Sequence, residues 1–304
     1  MGEEPTFESR LHLPATKRLI NFNLPADYKG AQKMPRIKLS QLTLNYELET
    51  EGQEGQEGRP ALVLINGLTM DINGWANQVG EFNKHFRVLR YDCRGQGESD
   101  KPDMPYTHEM HARDLAELME KLSLSSAHIV GISNGGMVAQ HMALDFPDKV
   151  RGLVLADTTS SITPLLNTIL TSWIELIKAG GMGLLFNSYL PFIFGESFIE
   201  KNAADIALMR ELSIKRNPAK AVLNLITGSQ SMNLAHRLSE ISAPTLIVHG
   251  EDDILIPLKH ARVLHEGISG SRLETIPDCG HVPPAEQPGK FNRLVVDFLK
   301  ALRS

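Results

Sequence analysis

The stretch Gly131-Ile132-Ser133-Asn134-Gly135 decides the fold of this 304-residue chain. It follows an apolar, β-branched run that begins at His128, and it leads into a helical pattern. A G-x-S-x-G sequence between a strand and a helix is typical of a nucleophile elbow, a sharp turn that exposes the serine hydroxyl. Glycines two residues to either side avoid side chains that would obstruct that turn. The pattern therefore predicts that Ser133 is a nucleophile.

The residue after the serine, Asn134, opens the predicted helix. Backbone N–H groups at a helix N-terminus, together with the helix dipole, favour a developing negative charge. We therefore expect the amide of Asn134 to form half of an oxyanion hole.

A serine nucleophile requires a histidine base and a carboxylate that orients it, and after such an elbow the chain order is serine, acid, histidine. The predicted strand at residues 245–249 is followed by a turn that contains Asp253, and strand Arg272–Ile276 is followed by a loop that ends at His281. His281 is the histidine that follows the last strand, with a glycine before it and a helix soon after. We predict Asp253 as the acid and His281 as the base, although Glu251 and Asp252 adjoin the chosen acid.

These motifs together resemble the α/β-hydrolase superfamily, from about Ile37 to the C-terminus. Asn66-Gly67-Leu68, after strand Ala61–Ile65, is similar to the family's oxyanion loop, which usually reads His-Gly. The resemblance implies that the amide of Leu68 completes the oxyanion hole. It also implies that the spacing to Pro257 fits Asp253 as the acid, while Asp157 is an alternative that some relatives use.

Two further segments, residues 135–140 and 153–158, are most similar to carboxylic-ester hydrolases around 3-oxoadipate enol-lactonase and the aclacinomycin methylesterases. The segment at residues 91–100 resembles the family's loop after the next strand, whose Asp92, Arg94, Ser99 and Asp100 are interpreted as structural. Dehalogenase and epoxide hydrolase chemistry is disfavoured, because those relatives carry aspartate where this chain has Ser133.

Apolar strands alternate with helical stretches from Ala61 onward, which predicts an α/β fold with a mostly parallel twisted sheet and helices on both faces. Between residues 158 and 242 only helical patterns occur, and we predict a helical cap there. The core is expected at residues 35–157 and 243–304, with an N-terminal extension at residues 1–34. The tract at residues 51–58 is predicted to be a hairpin loop.

The predicted cap inserts at the carboxyl end of the sheet, where ligands of open α/β folds bind. Its large apolar side chains could line a chamber around the carbon skeleton of an ester, although each one separately is a better candidate for the cap core. The side chains considered are Trp173, Leu176, Leu184, Phe186, Tyr189, Phe192 and Phe194.

A net charge of -5 gives no electrostatic reason to expect nucleic acid or an anionic membrane as partner. Cys93 and Cys279 are too few for a disulfide framework, no C-x-x-C pair indicates zinc, and we expect neither cofactor nor metal. Residues 1–10 contain acids and a proline where a signal peptide needs a basic start, so a cytoplasmic location is expected. The apolar stretch at residues 179–195 is interrupted by polar residues and glycines, and it is not predicted to span a membrane.

The expected function is hydrolysis of a small-molecule carboxylic ester or lactone by a cofactor-free serine hydrolase. The same three residues also suit enol-lactone opening, hydrolysis of a C–C bond or peracid formation. A ligand receptor without turnover and an interaction protein are alternatives from other classes, since a fold does not determine a function. The substrate and the oligomeric state stay open.

Overall fold

The computed structural model of the chain describes residues 34–48 and 58–302. One eight-stranded sheet runs through these residues in the order β1-β2-β4-β3-β5-β6-β7-β8. Strands β3 to β8 pair in parallel, and β1 and β2 add an antiparallel edge. The strands are β1 Arg36–Lys38, β2 Thr43–Leu48, β3 Ala61–Ile65, β4 Arg87–Tyr91, β5 Ala127–Ile132, β6 Val150–Ala156, β7 Thr245–Gly250 and β8 Arg272–Ile276. The predicted fold class is confirmed.

Helices cover both faces of this sheet, as the fully buried strands β3, β5 and β7 require. One core packs α2 and α3 against the sheet through residues such as Leu115 and Val138. The other packs α1 and α10 through Phe82 and Phe291. The helices are α1 Ala76–Phe82, α2 His108–Lys121, α3 Asn134–Asp145, α4 Pro164–Ile193, α5 Glu196–Lys201, α6 Ala203–Arg216, α7 Ala219–Ser229, α8 Lys259–Gly267, α9 Pro283–Glu286 and α10 Pro288–Ala301.

The predicted hairpin at residues 51–58 is wrong. Residues 49–57 lie outside the described part of the chain, but the strands that flank them are not neighbours, because β4 lies between β2 and β3. The physical reason is burial: all five residues of β3 are buried, and the strand pairs in parallel with β4 on one side and β5 on the other. The predicted extension at residues 1–34 also lies outside the described residues, apart from Met34.

Helices α4 to α7 follow β6 and precede β7, and we call this group the cap. The first of them changes direction at Gly180 and Gly181, whose backbone angles are not helical, so two helical segments meet there at a kink. Gly181 has a φ of 68°, a conformation that glycine adopts readily. Leu170, Trp173 and Leu185 pack with α7 in a separate apolar core.

The helix Pro164–Ile193 is long and apolar enough to cross a membrane by length and composition, and a third of its most apolar window is buried. A buried helix of a soluble protein meets the same criterion. In this structure the helix is kinked and packs against α6 and α7, so we assign it to the cap.

Candidate active site

The predicted elbow has the backbone conformation that its glycines suggested. Ser133 has φ 53° and ψ −119°, a strained combination for a residue with a side chain, and it caps the N-terminus of α3. Its N–H donates to the carbonyl oxygen of Ala156 at 2.9 Å. Its carbonyl oxygen accepts from Oγ1 of Thr158 at 2.8 Å. Both partners belong to the end of β6 and the loop after it, which hold the turn in place.

The two glycines of the motif lie where side chains would not fit. A Cβ on Gly131 would lie 2.3 Å from the carbonyl oxygen of Gly135, across the turn itself. A Cβ on Gly135 would lie 2.3 Å from the carbonyl oxygen of Ile65, at the end of β3. Because Gly135 has no side chain, the start of α3 packs directly against the backbone that leads into Asn66-Gly67-Leu68.

Ser133, His281 and Asp253 form one line of hydrogen bonds, although they are far apart in the chain. Nε2 of His281 lies 2.9 Å from Oγ of Ser133, and Nδ1 lies 2.7 Å from Oδ2 of Asp253. An ionised carboxylate only accepts hydrogen bonds, so we assign the proton to Nδ1, which leaves Nε2 free to accept from the serine hydroxyl. This tautomer suits a base that takes a proton from Ser133.

The carboxylate of Asp253 is itself held by backbone donors. Its Oδ1 accepts from the N–H groups of Leu255 and Ile256, both at 2.9 Å, in the turn after β7. The two other acids of this turn, Glu251 and Asp252, are exposed. The structure therefore brings Asp253, and neither of its neighbours, to the imidazole of His281.

Asp157, the alternative acid, lies beside Asp253 instead of facing His281. It is fully buried at the end of β6, and its Oδ1 accepts from the N–H of Gly250 at 2.8 Å. Burial, reinforced by the negative charge of Asp253, raises the pKa of Asp157 well above its usual value. This environment favours the neutral form of the Asp157 carboxyl group.

Asp157, His249 and Asp253 each offer a potential metal ligand atom, all within 4.8 Å of one another. Several of these potential ligand atoms already form hydrogen bonds within the protein. Nε2 of His249 donates to the carbonyl oxygen of Ile256 at 2.7 Å, and Asp253 accepts the three bonds described above. Burial lowers the pKa of His249, which favours its neutral imidazole. We interpret the group as a buried hydrogen-bond network behind His281.

Leu68 and Asn134, whose amides are the predicted oxyanion donors, both line the cavity in front of Ser133. Neither N–H is a donor in the turn, loop and capping hydrogen bonds of the described residues. The Leu68 loop is held from behind, since Nε2 of Gln96 donates to the carbonyl oxygen of Gly67 at 2.6 Å. The side chain of Asn66, in the position of the family's usual histidine, bonds to Tyr91 and Trp75 and has a structural role.

Two supporting residues have no signal in the sequence. Nε2 of His108, at the start of α2, donates to Oδ1 of Asn134 at 2.9 Å. Glu286 accepts from the N–H groups of Gly280 and Val282, on either side of His281, at 3.0 and 3.1 Å. The contact of His108 joins two different helices, so a one-dimensional pattern does not reveal it. The contacts of Glu286 are local, between the end of α9 and the loop just before that helix.

A cavity of about 280 Å³ lies between Ser133 and the cap, and its wall is largely apolar. Four of the seven proposed cap side chains line it, namely Trp173, Phe186, Tyr189 and Phe194. The other three do not: Leu184 is 38% exposed, while Leu176 and Phe192 pack against the cap core. These three side chains contribute to the packing or the exposed surface of the cap instead of the cavity wall.

The loop after β4 has the structural role that was predicted for it. Asp92 accepts from Asn45 and from the N–H groups of Ile72 and Glu98 at 2.7 to 2.9 Å. Arg94 forms a buried two-point pair with Asp114. Both cysteines are buried free thiols, and burial raises the pKa of each, to about 12 for Cys93. Neither thiol is suited to nucleophilic attack.

Comparisons with known proteins agree with this geometry. A family model described as the alpha/beta hydrolase fold matches residues 60–288. The chain is 27% identical to 3-oxoadipate enol-lactonase 2 of Acinetobacter baylyi over 249 residues, which are 81% of this chain and 91% of the relative. It is 31% identical to 2-hydroxy-6-oxononadienedioate/2-hydroxy-6-oxononatrienedioate hydrolase 1 of Pseudomonas putida over 297 residues, 89% of this chain and 97% of the relative.

Among solved structures, a thermophilic esterase from Thermogutta terrifontis superposes with a TM-score of 0.80 at 26% identity, covering 89% of this chain and 100% of that one. The family model spans well over half of the 304 residues. The chain therefore belongs to the α/β-hydrolase fold family and resembles the enol-lactonases and related hydrolases within it.

Proposed function

We propose that this protein hydrolyses carboxylic esters, lactones included, through an acyl-enzyme on Ser133. The observation that carries the proposal is the line of hydrogen bonds from Ser133 through His281 to Asp253, which faces an apolar cavity. The resemblance to a solved esterase supports the ester as the bond that is cleaved.

In the first half of the reaction, Oγ of Ser133 attacks the ester carbonyl carbon while Nε2 of His281 takes the hydroxyl proton. The carbonyl oxygen becomes an oxyanion, which the N–H groups of Leu68 and Asn134 stabilise. The imidazolium then gives its proton to the leaving alkoxide as the C–O bond breaks. Asp253 holds the tautomer and stabilises the charged imidazole, because its carboxylate accepts from Nδ1.

In the second half, a water molecule takes the place of the alcohol. Nε2 of His281 removes a proton from the water as its oxygen attacks the acyl carbon. The tetrahedral intermediate uses the same two amides, and its collapse returns the proton to Oγ of Ser133 and releases the acid. Loss of one such amide donor typically costs about 100- to 1000-fold in rate.

A second candidate keeps the same residues for a different bond. The curated relatives are named as an enol-lactonase and as a hydrolase of 2-hydroxy-6-oxononadienedioate, so opening of an enol-lactone or hydrolysis of a C–C bond is the alternative. Both reactions also pass through a carbonyl that develops negative charge. The cytoplasmic location expected from the sequence belongs to the same proposal, and two buried free thiols are compatible with a reducing compartment.

The test is the pre-steady-state release of 4-nitrophenol from 4-nitrophenyl acetate. We expect a burst close to one equivalent of enzyme if deacylation limits turnover, and a Ser133-bound acetyl group detectable by mass spectrometry after acid quenching. Ser133→Ala should remove the acetyl adduct and reduce kcat/KM at least about 1000-fold. Saturable ligand binding without turnover in the wild type would instead favour a receptor.

A further inference from the structure

The cavity in front of Ser133 has few charged groups on its wall. Besides His281, the described residues that line it include three charged side chains, those of Asp71, Asp205 and Arg216. Arg216 is the single lysine or arginine among these lining residues. Within the described part of the chain, Arg216 is therefore the cation that could compensate an anionic group of a substrate in this cavity.

Arg216 is already engaged by Asp71. Its Nη1 lies 2.6 Å from Oδ2 of Asp71, and the two side chains are only 20% and 13% exposed. Asp71 is fixed on its other side as well, because its Oδ1 accepts from the N–H of Asn73 at 2.9 Å and caps the 3₁₀ helix Ile72–Trp75. The carboxylate end of the ion pair is thus fixed by the backbone.

The next residue along the chain fixes the arginine's end of the pair. Nδ2 of Asn217 donates to the carbonyl oxygen of Thr69, one residue beyond the proposed oxyanion donor Leu68, at 3.1 Å. Since α6 ends at Arg216, this bond joins the end of that cap helix to the loop that carries Leu68. Arg216 could turn toward a substrate only if its ion pair with Asp71 broke. Breaking a partly buried ion pair costs free energy, because it leaves the Asp71 carboxylate without its partner.

The charge balance at the wall consequently opposes an anionic substrate. Asp71 and Arg216 cancel each other, and Asp205 leaves one negative charge. Burial and the negative charge of Asp92 raise the pKa of Asp71 to about 6, so its carboxylate is ionised at pH 8 and the ion pair is intact there. A substrate carboxylate entering this apolar space would lose its hydration without gaining a cation.

We propose that Asp71 is a specificity-determining residue that, by holding Arg216, restricts the site to esters whose acyl group carries no carboxylate. The inference rests on the proposed ester hydrolysis and adds its substrate class: neutral, largely apolar acyl chains. Asp71 acts through charge at the cavity wall and takes no part in the proton transfers at Ser133.

The experiment compares 4-nitrophenyl hexanoate with mono-4-nitrophenyl adipate at pH 8, two esters whose six-carbon acyl groups differ in one terminal carboxylate. For the wild type we expect kcat/KM for the hexanoate to exceed that for the adipate by about 100-fold or more, about 2.8 kcal/mol, because the adipate carboxylate loses its hydration without gaining a cation. A second pair, 4-nitrophenyl octanoate and mono-4-nitrophenyl suberate, repeats the comparison with the terminal carboxylate farther from Ser133.

Asp71→Asn keeps a side-chain oxygen for the helix cap and removes the charge that holds Arg216. The adipate-to-hexanoate ratio of kcat/KM should rise at least tenfold in this variant, and Asp71→Asn/Arg216→Met should reverse the rise. Asp71→Ser, which also retains a capping oxygen, provides the same comparison if the asparagine variant does not fold.

Wild-type enzyme that hydrolyses both members of each pair within threefold would overturn the proposal. A ratio unchanged in a folded Asp71→Asn or Asp71→Ser protein would do so as well. Failure of the proposed function has a different signature: no turnover of the hexanoate, or turnover that survives Ser133→Ala.

Discussion

Gly135 packs against the carbonyl oxygen of Ile65 so closely that a methyl group on its Cα would lie 2.3 Å away from it. The contact is backbone to backbone, so no side chain can rotate to relieve it. It joins the start of α3, which carries the amide of Asn134, to the end of β3, which leads into the loop of Leu68. The spacing between the two proposed oxyanion donors therefore depends on the absence of a side chain at residue 135.

Gly135→Ala should consequently destabilise the protein by about 3 kcal/mol, since overpacking of this kind typically costs 1–3 kcal/mol and here the neighbouring atom is backbone. The matched control is Gly289→Ala in α10, where an added Cβ meets nothing within 4 Å and which should be neutral or slightly stabilising. Urea unfolding of both variants measures the difference. Equal midpoints for the two variants would contradict the packing argument.

The sequence was sufficient to predict the elements around Ser133, because glycine spacing and buried apolar runs are local signals. Strands β3 and β8 were predicted with their exact bounds. The same local signals predicted a hairpin between β2 and β3, which is wrong because strand order depends on pairing across the sheet.

Contacts between distant elements account for what the sequence did not reveal at the site. The bond from His108 to Asn134 joins residues 26 positions apart, and Glu286 joins the His281 loop to Gly195 of the cap, 91 positions away. Histidine and glutamate at such positions carry no motif. Likewise, the side of α4 that faces the cavity could not be fixed while the kink at Gly181 was unknown.

The choice between the two buried acids can be tested by amide substitution. Asp253→Asn should lower kcat by about 1000- to 10,000-fold, because an amide at this position favours the wrong tautomer of His281. Asp157→Asn should retain kcat within about tenfold, since an asparagine keeps an oxygen for the N–H of Gly250 and His281 pairs with Asp253 instead. Steady-state hydrolysis of 4-nitrophenyl acetate gives both values. A larger loss in Asp157→Asn than in Asp253→Asn would identify Asp157 as the acid.

His108 makes the stability of the protein sensitive to acid. Burial lowers its pKa from 6.5 to about 4, so below pH 6.5 the unfolded chain binds a proton that the folded chain does not. Stability is therefore fully present above pH 6.5 and is lost as the pH falls toward 4, by about 2 kcal/mol from this residue between pH 7 and 5. Burial lowers the pKa of the nearby His111 to about 3, which adds a contribution of the same sign.

The measurement is urea unfolding of wild type and His108→Gln at pH 7, 6 and 5. Glutamine retains an N–H donor for Oδ1 of Asn134 but does not titrate, so the variant should lose less stability on acidification than the wild type does. The carboxylates common to both proteins cancel in the comparison. Parallel pH dependences would mean that His108 is not held neutral by the fold.

Glu286 positions the loop of His281 by accepting three backbone N–H groups, with Gly195 at 3.0 Å as the third. Glutamine has the same shape but presents an NH₂ group, which would oppose at least one of these donors. Glu286→Gln should therefore lower the melting temperature and reduce kcat/KM about tenfold or more, because Gly280 and Val282 adjoin His281. The control, Glu251→Gln, changes an exposed carboxylate in the turn after β7 and should do neither. A stable Glu286→Gln protein with wild-type kcat/KM would show that the loop is held without this carboxylate.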